Sequence, residues 1–121
     1  MICEIGVDVV DLSRFIDLPI SNNEKFYDKV FTEREKKYCL SKVNPYERFA
    51  VRFAAKEAVI KAVGKTARLS YKEIEVLNNG KGEPYITFLT KGPKLINEEN
   101  IHISLAHTEK IAIAFVVYIN L

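Results

Sequence analysis

NPYERFAVRFAAKEAVIKAVG, residues 44–64, is the stretch on which the reading of this chain turns. Asn44 suits a helix N-cap, Pro45 suits the first helical position, and Glu47 sits where it can reach back to the cap. Gly64 is a natural stop. The pattern predicts one long helix over 45–63. Moving toward the N-terminus, Thr32 and Glu35 form a capping-box spacing that opens a helix to about Lys42. Ser21 and Glu24 repeat the spacing and open another to about Val30. Asp11-Leu12-Ser13 starts a short helix over 12–17, ahead of Pro19, and residues 2–10 read as a largely buried strand with Asp8 near its end. Moving the other way, strands are predicted at 73–78 and 84–89 around NNGKGE. Gly92-Pro93 opens a short helical turn to about Asn97. Two last strands, 101–106 and 111–119, are joined around Thr108-Glu109-Lys110. A strand, then helices, then strands gives an α+β fold, with an N-terminal strand and helices followed by an antiparallel sheet. Residues 1–121 read as a single domain.

The composition narrows the function classes. A hydrophobic share of 48% supports a core, and a net charge of +2 is too small to argue for nucleic acid. Cys3 and Cys39 make no CxxC and no metal spacing with the histidines, so they read as buried small hydrophobes in a reducing compartment. The start, MICEIGVDVV, is apolar but short. It lacks a basic region and carries Glu4 and Asp8, unlike a signal peptide. No run approaches the roughly 20 apolar residues of a membrane span. A cytoplasmic protein is expected.

The long helix carries the sharpest anomaly. At about 100° per residue, Tyr46, Phe49, Ala50, Phe53 and Ile60 share an apolar face, with Glu57 in its middle and Lys61 beside it. An ionised carboxylate there needs a partner. Lys61, four residues on, could form a structural ion pair with it. Alternatively, Asp8 and Glu57 could converge on a small hard cation such as Mg²⁺, leaving most coordination positions to water and phosphate oxygens. Arg48, Arg52 and Lys56 fan along one flank of the apolar face, with Lys61 on the other. They are either a solvated flank or, beside a metal pair, a polyphosphate site. In IHISLAHT, residues 101–108, alternation puts Ile101, Ile103 and Leu105 on one face and His102 and Ser104 on the other. His107 and Thr108 stand at the strand's exit, where they can bind phosphate or serve as turn residues. No GxSxG context surrounds any serine.

IGVDVVDLSRF, RFAAKEAVIKAVG and HISLAHT resemble the three signature segments of the holo-acyl-carrier-protein synthases, the small single-domain type of the 4′-phosphopantetheinyl transferase superfamily. FTEREKKYC and NNGKGEPY resemble two further segments, so the likeness runs over nearly the whole chain in order. Asn79 stands where many relatives have Asp and Glu83 where many have Lys; Pro19–Phe26 carries only one cation, Lys25. The resemblance implies an α+β homotrimer with each active site in a cleft between subunits. The last strand, apolar on both faces and small at Ala112 and Ala114, fits a strand covered on both sides. The resemblance further implies coenzyme A as donor and acyl carrier protein as acceptor. Asp8 and Glu57 would hold Mg²⁺ against the pyrophosphate, and Lys61 would neutralise phosphate charge. Arg48, Arg52, Lys56, Lys61, Gly64, Ser104, His107 and Thr108 would contact coenzyme A, some across a subunit boundary. Arg14 would meet the carrier protein.

The implied reaction is attack of a carrier serine on the β-phosphorus of coenzyme A, with 3′,5′-ADP leaving. Asp8, Glu57 and Lys61 would be its catalytic residues. Glu57 could take the serine proton directly or through a metal-bound water. Two other readings use the same residues: a metal-dependent phosphodiesterase or nucleotide hydrolase, and a non-catalytic scaffold with a structural Glu57–Lys61 pair. Larger superfamily members that modify peptide-synthetase carriers are fused tandem copies, about twice this length; this chain resembles the single-copy type.

Overall fold

A computed structural model describes residues 1–89 and 96–121. β1 (Ile2–Asp11) leads into α1 (Leu12–Ile16), α2 (Glu24–Val30), α3 (Glu33–Leu40) and α4 (Pro45–Val63). β2 (Ile74–Asn78) and β3 (Pro84–Phe88) form a hairpin, and β4 (Ile101–His107) and β5 (Ile111–Asn120) follow. Short 3₁₀ turns lie at Ile20–Asn22, Tyr71–Glu73 and Glu98–Asn100. The helix expected from Gly92-Pro93 lies largely outside the described residues. The α+β reading holds: β1, β5 and β4 form one antiparallel sheet in that order, and β2 and β3 form a second.

Register fixes what faces what. Asp8 and Leu105 both stand opposite Ala114, while Val10 and His107 both stand opposite Ala112. Alternation then sends Gly6, Asp8 and Val10 toward α4, and Ile5, Val7 and Val9 outward. On β5, Ala112, Ala114, Val116 and Tyr118 are buried beneath the helix. The small residues let α4 sit close. Gly6 takes this furthest: a Cβ there would lie 1.9 Å from the Ala58 carbonyl oxygen. Only glycine lets β1 press against the α4 backbone, and this approach carries Asp8 to the helix. Between α1, α2 and α4 the core is aromatic, with Phe15, Tyr27, Phe31, Phe49 and Phe53 in contact.

Several local expectations change. The Thr32–Glu35 capping box forms. The Ser21–Glu24 spacing does not cap: Asn23 is the N-cap of α2, Ser21 lies within a 3₁₀ turn, and α3 ends at Leu40 rather than Lys42. Asn44 makes no side-chain cap, although Pro45 opens α4 as expected. Gly64 is a right-handed C-cap, and the chain runs on through turns that return to the Val63 carbonyl. α4 is not single-faced: Val51, Ala55, Val59 and Val63 are buried as well, so the helix is enclosed around most of its girth. Cys39 is buried, whereas Cys3 is exposed, because it falls on the outward face of β1. No described helix is long and apolar enough to cross a membrane.

Candidate active site

The charges of α4 divide into three groups. Lys56 is 0% exposed. Its ammonium donates to Glu35 Oε1 at 2.7 Å and to the carbonyls of Val30, Ile74 and Tyr71 at 2.8, 2.7 and 3.0 Å. Glu35 is equally buried and also accepts from the Thr32 and Val76 amides, each at 2.9 Å. Burial pulls the Lys56 pKa down, and the Glu35 charge works against that shift. Lys56 is therefore a structural tie between α2, α3, α4 and β2. The expected coenzyme A contact is corrected: no part of this side chain reaches the surface. Neither a solvated flank nor a phosphate site describes it.

Glu57, the next residue, faces the other way. It is half-buried and accepts from the Tyr71 hydroxyl through Oε1 at 2.5 Å. Lys61 does not pair with it. The Lys61 ammonium reaches over the open edge of β1, donating to the Val7 carbonyl at 2.9 Å and to Asp8 Oδ1 at 3.2 Å. The structural Glu57–Lys61 pair is thus replaced by two separate contacts, Tyr71 to Glu57 and Lys61 to Asp8. The Tyr71 hydroxyl is pushed up to about 12, first by its bond to Glu57, then by burial and the Glu57 charge, with a smaller push from Asp8. Both carboxylates therefore act on one phenol. Nearby Arg14 lies with its guanidinium 4.8 Å from the Phe53 ring centre. Gly64 sits at this same end of α4.

The third group lies toward the N-terminal end of α4. From Arg48 to Lys61 the helix rises about 20 Å. Tyr38, Arg48, Arg52, Asn78, Ser104 and His107 line a cleft of about 320 Å³ between α4, the hairpin and β4. Arg52 is 4% exposed, lies against the Tyr38 ring at 4.2 Å, and donates to Asn78 Oδ1 at 2.7 Å. Asn78 in turn donates to the carbonyl of Gly82, whose φ of 80° is left-handed and suits the hairpin turn. The Nε atoms of Arg48 and Arg52 are buried without hydrogen-bond partners among the described residues. Both guanidinium-bearing side chains line the cleft and give it a cationic wall suited to an anion. His107 Nε2 lies 3.5 Å from Glu47. Thr108 acts as a turn residue, its hydroxyl accepting from the Lys110 and Ile111 amides at 3.1 Å. Asn79 caps the hairpin, its Oδ1 accepting from the Lys81 and Glu83 amides.

The structure thus gathers Asp8, Glu57 and Lys61 at the β1 edge of the sheet. It gathers Arg48, Arg52, Ser104 and His107 near the β4 edge. Tyr71, Tyr38 and Asn78 were not picked out from sequence. Tyr71 had a signal: Ser70 and Glu73 form a further capping box, which builds the turn presenting the phenol. Among the described residues no cluster of three or more acidic, histidine or cysteine side chains could hold a metal. Two carboxylates alone suit a hard cation that takes its other ligands from water and phosphate.

Residues 4–116 match the family pattern of the 4′-phosphopantetheinyl transferase superfamily. The chain belongs to that superfamily. Within it, the chain groups with the holo-[acyl-carrier-protein] synthases. It is 42% identical to the one from Halothermothrix orenii, over 97% of both chains. It is 44% identical to the one from Thermodesulfovibrio yellowstonii, over 97% of this chain and 98% of that one. Among solved structures, the synthase of Neisseria meningitidis superposes with a TM-score of 0.80 at 31% identity, covering 97% of this chain and 98% of that one. The synthase of Bacillus anthracis, in complex with CoA (3′,5′-ADP), superposes at 0.74 with 32% identity, covering 95% and 94%.

Proposed function

We propose that this chain transfers 4′-phosphopantetheine from coenzyme A to a serine of apo-acyl carrier protein, releasing 3′,5′-ADP in support of fatty acid biosynthesis. The observation that carries the reading is the cleft walled by the Arg48 and Arg52 side chains, in a chain of this family. Arg48, Arg52, Ser104 and His107 take phosphates of the nucleotide half. Asp8 and Glu57 would hold Mg²⁺, which supplies charge neutralisation at the pyrophosphate when bound. Lys61, freed from Asp8 by a modest rotation, donates to a phosphate oxygen. Glu57 accepts the proton of the serine hydroxyl, directly or through a water. The serine oxygen forms its bond to the β-phosphorus as the bond to 3′,5′-ADP breaks. Arg14, exposed on α1, faces the acidic carrier, and the reaction runs in the cytoplasm.

The active assembly is a homotrimer. The acid cluster and the cleft stand toward opposite edges of one three-stranded sheet, so a neighbouring copy can set one edge against the other. The outer sheet face also carries Ile5, Val7, Val9 and Phe115 at 64, 51, 58 and 43% exposure. A contiguous apolar face of this kind marks an interface. Cyclic packing through it sets the β4 edge of one copy beside the β1 edge of the next and completes the site. The test is to incubate the protein with coenzyme A, Mg²⁺ and an apo carrier, then weigh the carrier. A phosphopantetheine mass increment is expected, and its absence overturns the reading. Sedimentation should give a trimer; a monomer with full activity overturns the shared site.

A further inference from the structure

We infer that Tyr71 is a positioning residue that fixes the Glu57 carboxylate for cation binding. The inference rests on the transferase reading above and adds a residue to it. Tyr71 is held at three points. Its carbonyl accepts from the buried Lys56 ammonium at 3.0 Å, its ring lies 5.5 Å from that of Phe53, and its hydroxyl donates to Glu57 Oε1 at 2.5 Å. The turn that presents it is closed by its own capping box, where the Glu73 carboxylate accepts from the Ser70 amide and hydroxyl at 2.9 Å. A side chain tied at backbone, ring and hydroxyl has little freedom, so the carboxylate it holds has little either. The bond occupies one lobe of Glu57. Among the described residues no hydrogen-bond donor meets the other oxygen, Oε2, which is left for a ligand.

The geometry also explains why Lys56 and Glu57 are adjacent. Lys56 anchors the Tyr71 main chain from beneath while Glu57 receives the same residue's hydroxyl from above. The buried tie and the site are therefore joined through one tyrosine. Partners that orient a metal-binding carboxylate typically contribute 10- to 100-fold to cation affinity.

The test is Tyr71→Phe, which removes the hydroxyl and keeps the ring on Phe53. Mn²⁺ binding is followed by electron paramagnetic resonance with saturating coenzyme A and no carrier, so no turnover is needed. An affinity about 10-fold weaker than wild type is expected, with the ligand-free melting temperature little changed. In a Glu57→Ala background, Y71F should cause no further loss. Should Y71F be unstable, Tyr71→Trp keeps an aromatic plate on Phe53 without the hydroxyl and is expected to show the same loss. Affinity within twofold of wild type, tighter binding, or a loss that persists without Glu57 overturns the inference. A wild-type protein that modifies no carrier brings down the transferase reading instead, so the two failures are distinct.

Discussion

Lys56 and Glu57 are neighbours on α4 and have opposite surroundings. Lys56 is sealed among four oxygen acceptors, and its partner Glu35 is filled by an ammonium and two amides. Glu57 is half-buried with one hydroxyl on one oxygen. Among the described residues Asp8 likewise meets only the Lys61 ammonium, which is itself half-exposed. At the far end of the helix, Arg48 and Arg52 keep buried nitrogens without partners among the described residues. On the proposed reading, saturation, rather than charge or burial alone, separates the structural ions from those assigned to the site. A complete set of partners holds elements together, whereas an incomplete one is poised for a ligand.

The sharpest way to break this contrast is to unseat the saturated side. Lys56→Met leaves the buried Glu35 carboxylate without its ammonium. We expect a loss of about 3–5 kcal/mol in folding stability, read by urea denaturation. Replacing Lys56 and Glu35 together by apolar residues should recover part of it. A stability change under 1 kcal/mol would refute the structural assignment of Lys56.

The buried side should also answer to alkali. Burial pushes the Cys39 thiol from 9.0 up to about 12, with the nearby Glu35 charge adding to it and Arg52, Arg48 and Lys56 opposing it. The native thiol keeps its proton where the unfolded one loses it. Its contribution is therefore full below pH 9 and is lost as pH rises toward 12. Lys56 works in the opposite sense, since its lowered pKa makes its contribution grow with pH up to the ordinary lysine value of 10.5. Cys39→Ala should flatten the decline in urea midpoint between pH 9 and 12, and an unchanged slope would exclude the thiol as its cause.

On the unsaturated side, Glu57→Gln keeps shape and removes charge. Carrier modification should fall by about 100-fold while the urea midpoint stays near wild type. Near-normal turnover at saturating Mg²⁺ would remove Glu57 as both ligand and base. The smaller effect belongs to the joint between the two sides. Gly6→Ala forces β1 away from the Ala58 carbonyl, costing about 1–3 kcal/mol and lowering carrier modification by drawing Asp8 off the helix. Loss of stability with unchanged turnover would show that the close approach serves packing alone.

Much of this was legible in the sequence. The long helix, the capping box at Thr32, the hairpin around NNGKGE and the α+β order follow from local patterns of period 3.6 and 2 and from cap chemistry. The structure brings Lys61 to Asp8, while Glu57 bonds to Tyr71 instead of Lys61. Lys56 was misjudged because a helical wheel assumes one buried face, whereas α4 is enclosed by β1, β5, the hairpin and the other helices. A charge on its flank therefore meets protein, not water. The Ser21 cap failed because Pro19 and Asn23 organise that turn instead, the Asn23 amide donating to the Pro19 carbonyl at 2.9 Å.

By itself the sequence determined which segments are helix and strand, and which residue types are available for phosphate chemistry, since backbone propensity and side-chain identity are local. Only the tertiary structure decided which charges are satisfied. Whether Lys56 finds four acceptors, whether Lys61 chooses Asp8 over Glu57, and whether Tyr71 reaches Glu57 depend on groups 15 to 26, 53 and 14 positions away in the chain. Partners of that kind come together only when the elements pack, so the line between an ion that binds the fold and one that awaits a ligand is drawn in three dimensions.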